Sequence, residues 1–148
     1  MLRRLPTPLA VALAACIGGS LATRVSDTSP SPAPDVLDCA RGQLKALGFT
    51  ESSYDSDRLR VTARKFDETQ RRPDTQFRRM VDRLAIEVGP ASDGAVTAIT
   101  VDASTFAEMT TQRGPTEVQE KASDAARSAA QTILQKCSQP VDSLSVPG

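Results

Sequence analysis

The stretch RLAIEVGPASDGAVTAITVDA, residues 83–103, decides the fold, because it holds two alternating runs around a turn. In both runs the apolar residues fall at every second position: Leu84, Ile86 and Val88 before the turn, and Ile99, Val101 and Ala103 after it. A period of two is typical of a strand with one buried and one wet face. The Gly, Pro, Ser and Asp residues between the runs favour a tight connection. The sequence therefore predicts an antiparallel hairpin with strands over about Phe77–Val88 and Ala95–Ala107.

One further strand is predicted before this hairpin, from about Arg58 to Phe66. Here Leu59, Val61 and Ala63 alternate with basic residues and Thr62, again with a period of two. Asp82 falls on the apolar phase of the second strand. We expect it at the rim of the sheet or beside a β-bulge.

Two helices are predicted on either side of these strands. The first runs from about Asp35, a good N-cap, to Leu47, and Gly48 ends it. The second is predicted to begin near Thr116, which with Gln119 matches a capping box, and to end before Pro140. Its apolar stripe consists of Val118, Ala122, Ala126, Ala129 and Ile133.

Together these elements predict an α+β domain over residues 35–140. The expected architecture is a two-layer sandwich in the order α-β-β-β-α, with a three-stranded antiparallel sheet and two antiparallel helices on one face. Residues 16–34 are rich in Ser and Pro without apolar periodicity, and they predict a tether. Residues 141–148 are expected to be a flexible tail.

The amino terminus has the layout of an export signal. Two basic residues, Arg3 and Arg4, precede an apolar run that ends at Ala15, which is too short to span a membrane. The residues Leu13-Ala14-Ala15-Cys16 resemble the lipobox of bacterial lipoprotein precursors. The resemblance implies that residues 1–15 are a lipoprotein signal peptide, that cleavage makes Cys16 the first residue, and that Cys16 carries diacylglycerol and a further acyl chain such as palmitate.

The same resemblance implies a location in the cell envelope. Two or three acyl chains anchor a protein firmly to a membrane. If the cell has two membranes, Ile17 after the cysteine, in place of an aspartate, resembles the pattern of lipoproteins in the outer one. The alternative is ordinary cleavage after Ala22, since Ser20-Leu21-Ala22 also fits a small-x-small site.

The cysteines fit an exported protein. Of the 3 cysteines, lipidation of Cys16 leaves Cys39 and Cys137 as a pair, and an oxidising compartment favours a disulfide between them. If the first and last helices lie antiparallel, the two residues come level with each other. The alternative is two independent buried thiols.

The chain contains 0 histidines, which removes His-dependent nucleophilic catalysis and the commonest transition-metal ligand. We expect no cofactor, no metal and no enzyme activity. The remaining enzymatic alternative is a carboxylate-dependent hydrolase, which needs two acids in one cleft. The available acids are Asp55, Asp57, Asp67, Glu68, Asp82, Glu87 and Asp102.

Basic residues concentrate in residues 58–83, although Lys and Arg balance Asp and Glu over the whole chain at 18 each. A candidate anion-binding face of the sheet contains Arg58, Arg60, Arg64, Arg79 and Arg83. Guanidinium groups suit phosphates and carboxylates, so this face could bind an anionic lipid or glycan. The alternative is a solvated face on which arginines pair with Glu87 and Asp102. Without interleaved aromatic residues, nucleic acid is not expected as a partner.

The sequence thus predicts a lipid-anchored envelope protein that acts by contact, as an accessory or assembly factor for another envelope component. Its expected partners are the membrane, through Cys16, and an envelope protein or an anionic lipid or glycan. The expected domain is loosely similar to small outer-membrane lipoproteins of the lipopolysaccharide-transport and barrel-assembly systems, which also set helices against a short sheet.

Overall fold

A computed structural model describes residues 19–140 of the chain, and in them two helices pack on a six-stranded antiparallel sheet. The sheet and helices follow one another along the chain as β1 (Thr23–Ser29), α1 (Ala33–Ala46), β2 (Thr50–Asp55), β3 (Arg60–Asp67), β4 (Phe77–Pro90), β5 (Thr97–Thr111), β6 (Gly114–Glu120) and α2 (Asp124–Cys137).

The β4–β5 hairpin is the centre of the sheet. The strand order is β1-β5-β4-β3-β2, and β6 also pairs with β5. The free side of β5 is shared, because β1 pairs with residues 97–103 and β6 pairs with residues 105–111. The backbone N–H of Ala122 donates to the carbonyl of Leu21 at 2.9 Å and joins the ends of these two edge strands.

Both helices pack on one face of the sheet, here called the inner face, and they run antiparallel. The chain before α1 contacts the start of β5, where the Thr97 hydroxyl donates to the Ser31 carbonyl. Just after α1, the Leu47 carbonyl accepts from Lys65, which is level with the middle of β5. The second helix begins at this middle level and ends beside Asp27, back near the start of β5.

The core lies between the helices and the inner face of the sheet. Each strand of the central hairpin contributes its alternating residues, and each helix contributes one stripe. The largest side chains of this core with at most 1% exposure are Leu37, Leu44, Leu84, Ile86, Ile99 and Ile133. Burying each of them contributes about 1.5–3 kcal/mol, so this layer holds the helices on the sheet.

The prediction of a three-stranded sheet is wrong, because the described residues contain six strands. Strand β1 lies within residues 16–34, which were predicted to be a tether. Strand β2 occupies Thr50–Asp55, where the sequence predicts no element. Strand β6 occupies Gly114–Glu120, which overlaps the predicted first turn of the last helix from Thr116 onward.

These strands were missed because they lie at the edges of the sheet. Val25 is the one large apolar side chain in β1, and Tyr54 holds that place in β2. Solvent contacts the open edge of an edge strand as well as its outer face. Such a strand therefore does not need the alternating apolar pattern that marks central strands.

The predicted start of the last helix at Thr116 is also wrong. The observed N-cap is Ser123, whose hydroxyl accepts a hydrogen bond from the Ala126 N–H at 3.0 Å. Thr116 pairs with Met109 in the sheet, and Val118 is 53% exposed in β6. The spacing of Thr116 and Gln119 therefore matches a capping box although both residues lie in a strand.

The structure contains the predicted disulfide between Cys39 and Cys137, with their Cα atoms 5.8 Å apart. It joins α1 to the last residue of α2 across 98 positions of sequence. Strand β1 lies outside the loop that this bond closes.

The predictions for residues 1–18 and 141–148 lie outside the described residues. They include the signal peptide, the lipidation of Cys16 and the carboxyl-terminal tail.

Candidate functional site

Asp82 lies in the middle of the sheet, beneath the start of α2. It is in β4, opposite Lys65 of β3 on one side and Thr105 of β5 on the other. It is only 9% exposed, although its neighbours along the inner face of β4 are apolar. The sequence identified the unusual phase of Asp82 but not its place: the bulge of β4 lies between Phe77 and Arg79, and Asp82 is in a central strand.

The carboxylate of Asp82 fixes the start of α2 to the sheet. Its Oδ1 accepts from the Thr105 hydroxyl at 2.6 Å and from the Ser123 hydroxyl at 2.9 Å. The Ser123 N–H in turn donates to the Thr105 hydroxyl at 2.8 Å. Because Ser123 is also the N-cap, one oxygen of Asp82 orders the residue from which the helix begins.

A cleft of about 510 Å³ opens above Asp82 on the inner face. This volume is within the range of small-ligand sites. The cleft, here called the helix-end cleft, lies between the end of α1, the first turns of α2 and the start of the β3–β4 loop. Its lining consists of Leu47, Phe49, Lys65, Phe66, Asp67, Glu68, Thr69, Asp82, Ala125, Ser128, Ala129 and Thr132.

Lys65 contributes the one positive charge among the lining residues of the helix-end cleft. Its ammonium group donates to the carbonyl of Leu47 at 2.9 Å and lies 5.8 Å from the centre of the Phe49 ring. The chain leaves α1 through Gly48, whose φ of 82° is one that glycine adopts readily. Lys65 therefore stabilises the negative end of α1.

Two further acids lie at the rim of the helix-end cleft. Asp67 accepts from the hydroxyl and the N–H of Thr69 and from Gln70, and these hydrogen bonds hold its pKa below the usual value. Glu68 lies 3.2 Å from Arg79. A general acid needs a raised pKa, so Asp67 does not resemble the acid of a hydrolase.

Four of the five arginines in the predicted anion-binding face share the outer face of the sheet, which carries no helix. Arg60 and Arg64 lie in β3, Arg79 and Arg83 in β4, and Arg64 is directly opposite Arg83. Arg58 differs, since it lies in the turn between β2 and β3, 3.8 Å from Asp55. The prediction that it shares the sheet face is wrong, because β3 begins at Arg60.

Most of these arginines already have a carboxylate partner. The ion pairs measure 2.6 Å for Arg60 with Glu87, 3.0 Å for Arg83 with Glu117 and 3.2 Å for Arg79 with Glu108. Asp102 pairs with Arg24 of β1 at 2.7 Å. An anionic ligand would therefore compete with carboxylates of the chain itself at most positions on the outer face.

The part of the outer face around Val81 has a feature that the sequence did not reveal. Val81 is fully buried there, between Phe66 of β3 and Phe106 of β5. Guanidinium groups stack on both rings: Arg79 lies 3.6 Å and Arg64 5.2 Å from the centre of Phe66, and Arg83 lies 4.6 Å from that of Phe106. We call these residues with Val81 the arginine–phenylalanine cluster. The sequence gives one hint of this cluster: strand alternation places Phe66, Val81 and Phe106 on the same, outward-facing side of the sheet.

Two general findings complete the description of residues 19–140. None of their helices is both long and apolar enough to cross a membrane. Within the same range, no three acidic, Cys or His side chains are grouped so that they could hold a metal ion. The sequence matches no protein-family model and no curated protein.

Proposed function

We propose that this chain is a lipid-anchored protein of the bacterial cell envelope that acts by contact and catalyses no reaction. Its domain binds another envelope protein through the arginine–phenylalanine cluster on the outer face of the sheet. The observation that carries this proposal is the cluster itself, in which three guanidinium groups stack on two Phe rings on the face of the sheet that carries no helix.

The cluster has the composition of a protein interface. Aromatic residues and arginine are enriched at the centres of such interfaces, where rigid side chains lose little entropy on binding. The rings of Phe66 and Phe106 are held by stacked arginines, and Phe66 remains 38% exposed. Helices cover the inner face, so the outer face is the face of the sheet left for a partner.

The anchor rests on the lipobox residues Leu13-Ala14-Ala15-Cys16. Strand β1 begins at Thr23, so the seven peptide steps from Cys16 to the sheet span at most about 25 Å. A tether of this length keeps the domain close to the lipid surface. The contact partner is therefore a protein of the same membrane or of its immediate surroundings.

Binding of an anionic lipid or glycan is the second candidate function, and one residue supports it. Arg64 forms no ion pair within residues 19–140 and lies opposite a second guanidinium, that of Arg83. The carboxylates on Arg60, Arg79 and Arg83 oppose it. We therefore favour the protein contact.

Site-specific photo-crosslinking in cells tests the proposal. A photoreactive phenylalanine analogue at position 106 is expected to give an adduct of defined mass with an envelope protein. The matched control is the same analogue at Gln135, an exposed position of α2 on the helical side. The adduct at position 106 is expected to weaken in a Cys16→Ser variant, which should also lose labelling by a fatty-acid analogue.

The two parts of the proposal can fail separately. Equal adducts from positions 106 and 135, or none from either, would remove the contact role of the cluster. Equal fatty-acid labelling of the Cys16→Ser variant and the unchanged protein would remove the lipid anchor.

A further inference from the structure

The helix-end cleft has carboxylates at its floor, from Asp82, and at its rim, from Asp67 and Glu68. The proposed contact function does not explain why they are there. The cleft opens on the inner face and meets the arginine–phenylalanine cluster only at its rim, where Phe66 belongs to both and Glu68 pairs with Arg79. Its lining includes the carboxylates of Asp67, Glu68 and Asp82 and one ammonium group, that of Lys65. The lowered pKa of Asp67 keeps its charge negative, so the cleft favours cations over anions.

Asp82 has one oxygen left for a ligand. Both of its hydrogen bonds, from Thr105 and Ser123, reach Oδ1. Its Oδ2 accepts no hydrogen bond within residues 19–140. It is also not among the fully enclosed side-chain atoms that lack a hydrogen bond in this range, which are Arg79 Nε and Glu108 Oε1. Because Asp82 lines the helix-end cleft, Oδ2 opens into it.

The carboxylate of Asp82 also has no cation of its own. No Lys or Arg in residues 19–140 forms an ion pair with it, although it is 9% exposed. Buried carboxylates are normally paired with a cation, since an isolated charge in the protein interior is costly. Lys65 is the direct cross-strand neighbour, but its ammonium group binds the carbonyl of Leu47 instead.

From this arrangement we infer that the helix-end cleft binds a primary ammonium group carried on a short aliphatic chain. The ammonium group donates to Asp82 Oδ2, and the negative charge of Asp67 at the rim adds to the attraction, whereas Glu68 is already paired with Arg79. The aliphatic chain packs on Leu47, Phe49, Ala125 and Ala129, which supply the apolar wall. This chemistry is found in a free alkylamine and in the lysine side chain of another protein.

NMR titration of the full chain tests this inference. Pentylamine is the probe, and pentan-1-ol and pentanoate have the same chain length without the positive charge. Saturable shifts are expected for the amides of residues that line the helix-end cleft, with pentylamine binding at least tenfold more tightly than either control. Equal binding of the three compounds, or no saturable binding of pentylamine, would overturn the inference.

Two variants and one control locate the binding. Asp82→Asn keeps an oxygen for the hydroxyls of Thr105 and Ser123 and is expected to weaken pentylamine binding at least tenfold. Ser128→Phe fills the helix-end cleft from an exposed position of α2 and is expected to abolish binding even if Asp82→Asn folds poorly. Gln131→Phe, on an exposed position of α2 outside the cleft, is the matched control and should bind normally.

Binding that persists in Ser128→Phe would place the amine elsewhere and overturn the inference. A comparison of pentylamine with N-acetyl-lysine methylamide then identifies the source of the ammonium group. Tighter binding of the lysine derivative supports a partner's lysine, and tighter binding of pentylamine supports a free amine. The proposed contact role is tested separately, because the crosslinking position, Phe106, does not line the helix-end cleft.

Discussion

At the scale of single residues, the network of Asp82, Thr105 and Ser123 has the most consequences. Ser123 is the N-cap of α2 and also donates to the buried carboxylate of Asp82. The same hydroxyl therefore satisfies a free N–H of the helix and an oxygen that water reaches poorly. Loss of this hydroxyl leaves the Ala126 N–H without its cap and leaves Asp82 Oδ1 with one donor, Thr105, in place of two.

We predict that Ser123→Ala lowers the free energy of unfolding by about 2 kcal/mol. A lost N-cap costs about 1 kcal/mol, and the lost donor to Asp82 adds a cost of similar size. Urea unfolding followed by circular dichroism measures the change. Ser128→Ala is the matched control, because Ser128 is exposed within the same helix, and its unfolding free energy should change by less than about 0.5 kcal/mol.

A second consequential pair joins the β3–β4 loop to β6. Both terminal nitrogens of Arg72 donate to the carboxylate of Glu120, and the bond from Nη2 measures 2.8 Å. The guanidinium group of Arg72 also lies 4.8 Å from the centre of the Phe77 ring. The hydrogen bond from Arg72, followed by its charge, lowers the pKa of Glu120. Both side chains are about a third exposed, so their attraction is partly screened.

The lowered pKa of Glu120 gives a pH dependence with a fixed sign. Its contribution to stability is complete above the usual glutamate pKa of about 4.3 and is lost as the pH falls through the lowered value. Glu120→Gln is therefore expected to lower the free energy of unfolding by about 0.5 kcal/mol at pH 7 and by less at pH 3. Chemical denaturation at the two pH values measures the difference.

The pair itself is isolated by a double-mutant cycle. In an Arg72→Met background, Glu120→Gln should have the same effect at both pH values, because the interaction that lowers the pKa is gone. A difference between pH 7 and pH 3 that persists in this background would mean that Arg72 is not its source.

At the scale of elements, the disulfide determines how the helices are held. Each helix has 14 residues, and the Cys39–Cys137 bond joins the first half of α1 to the end of α2. The loop that it closes contains β2 to β6. In the chain-entropy model, a loop of 98 residues stabilises the folded state by about 4–5 kcal/mol.

We predict that the double variant Cys39→Ala, Cys137→Ala loses about 4 kcal/mol of unfolding free energy. The unfolded chain gains the conformational freedom that the bond removes, and small domains have only about 5–15 kcal/mol in total. Guanidinium unfolding measures the loss. The unchanged protein under reducing conditions should unfold at nearly the same denaturant concentration as the variant, whereas a variant as stable as the oxidised protein would contradict the prediction.

The elements also differ in how far the sequence predicts them. Central strands were found because burial on one face forces Leu84, Ile86 and Val88 into alternation. The edge strands β1 and β2 were missed, since water contacts their exposed side chains and the pattern is absent. The start of α2 was misplaced because the capping spacing at Thr116 is a local signal, and pairing with β5 overrides it.

At the scale of the whole molecule, the candidate sites depend on long-range contacts that the sequence does not show. The helix-end cleft combines residues from the turn after α1, from β3 and the loop after it, from β4 and from α2, so it could not be predicted while the start of α2 was misplaced. The sequence did single out Asp82 as a charged residue on the apolar phase of its strand. It also predicted the disulfide correctly, because Cys39 and Cys137 are the two cysteines left when Cys16 is set aside for lipid. The arginine face was identified, but its cross-strand ion pairs depend on the register of β3, β4 and β6.

The placement of β1 outside the disulfide loop determines how the domain would respond to mechanical tension. A pulling force on an amino-terminal lipid would reach β1 first, and its seven residue pairs with β5 would bear the load. If β1 detached, extension would stop at Cys39, because the covalent bond to Cys137 locks the rest of the domain. Under the proposed lipid anchor, β1 would therefore detach before the rest of the domain and could pair with β5 again when the tension is released.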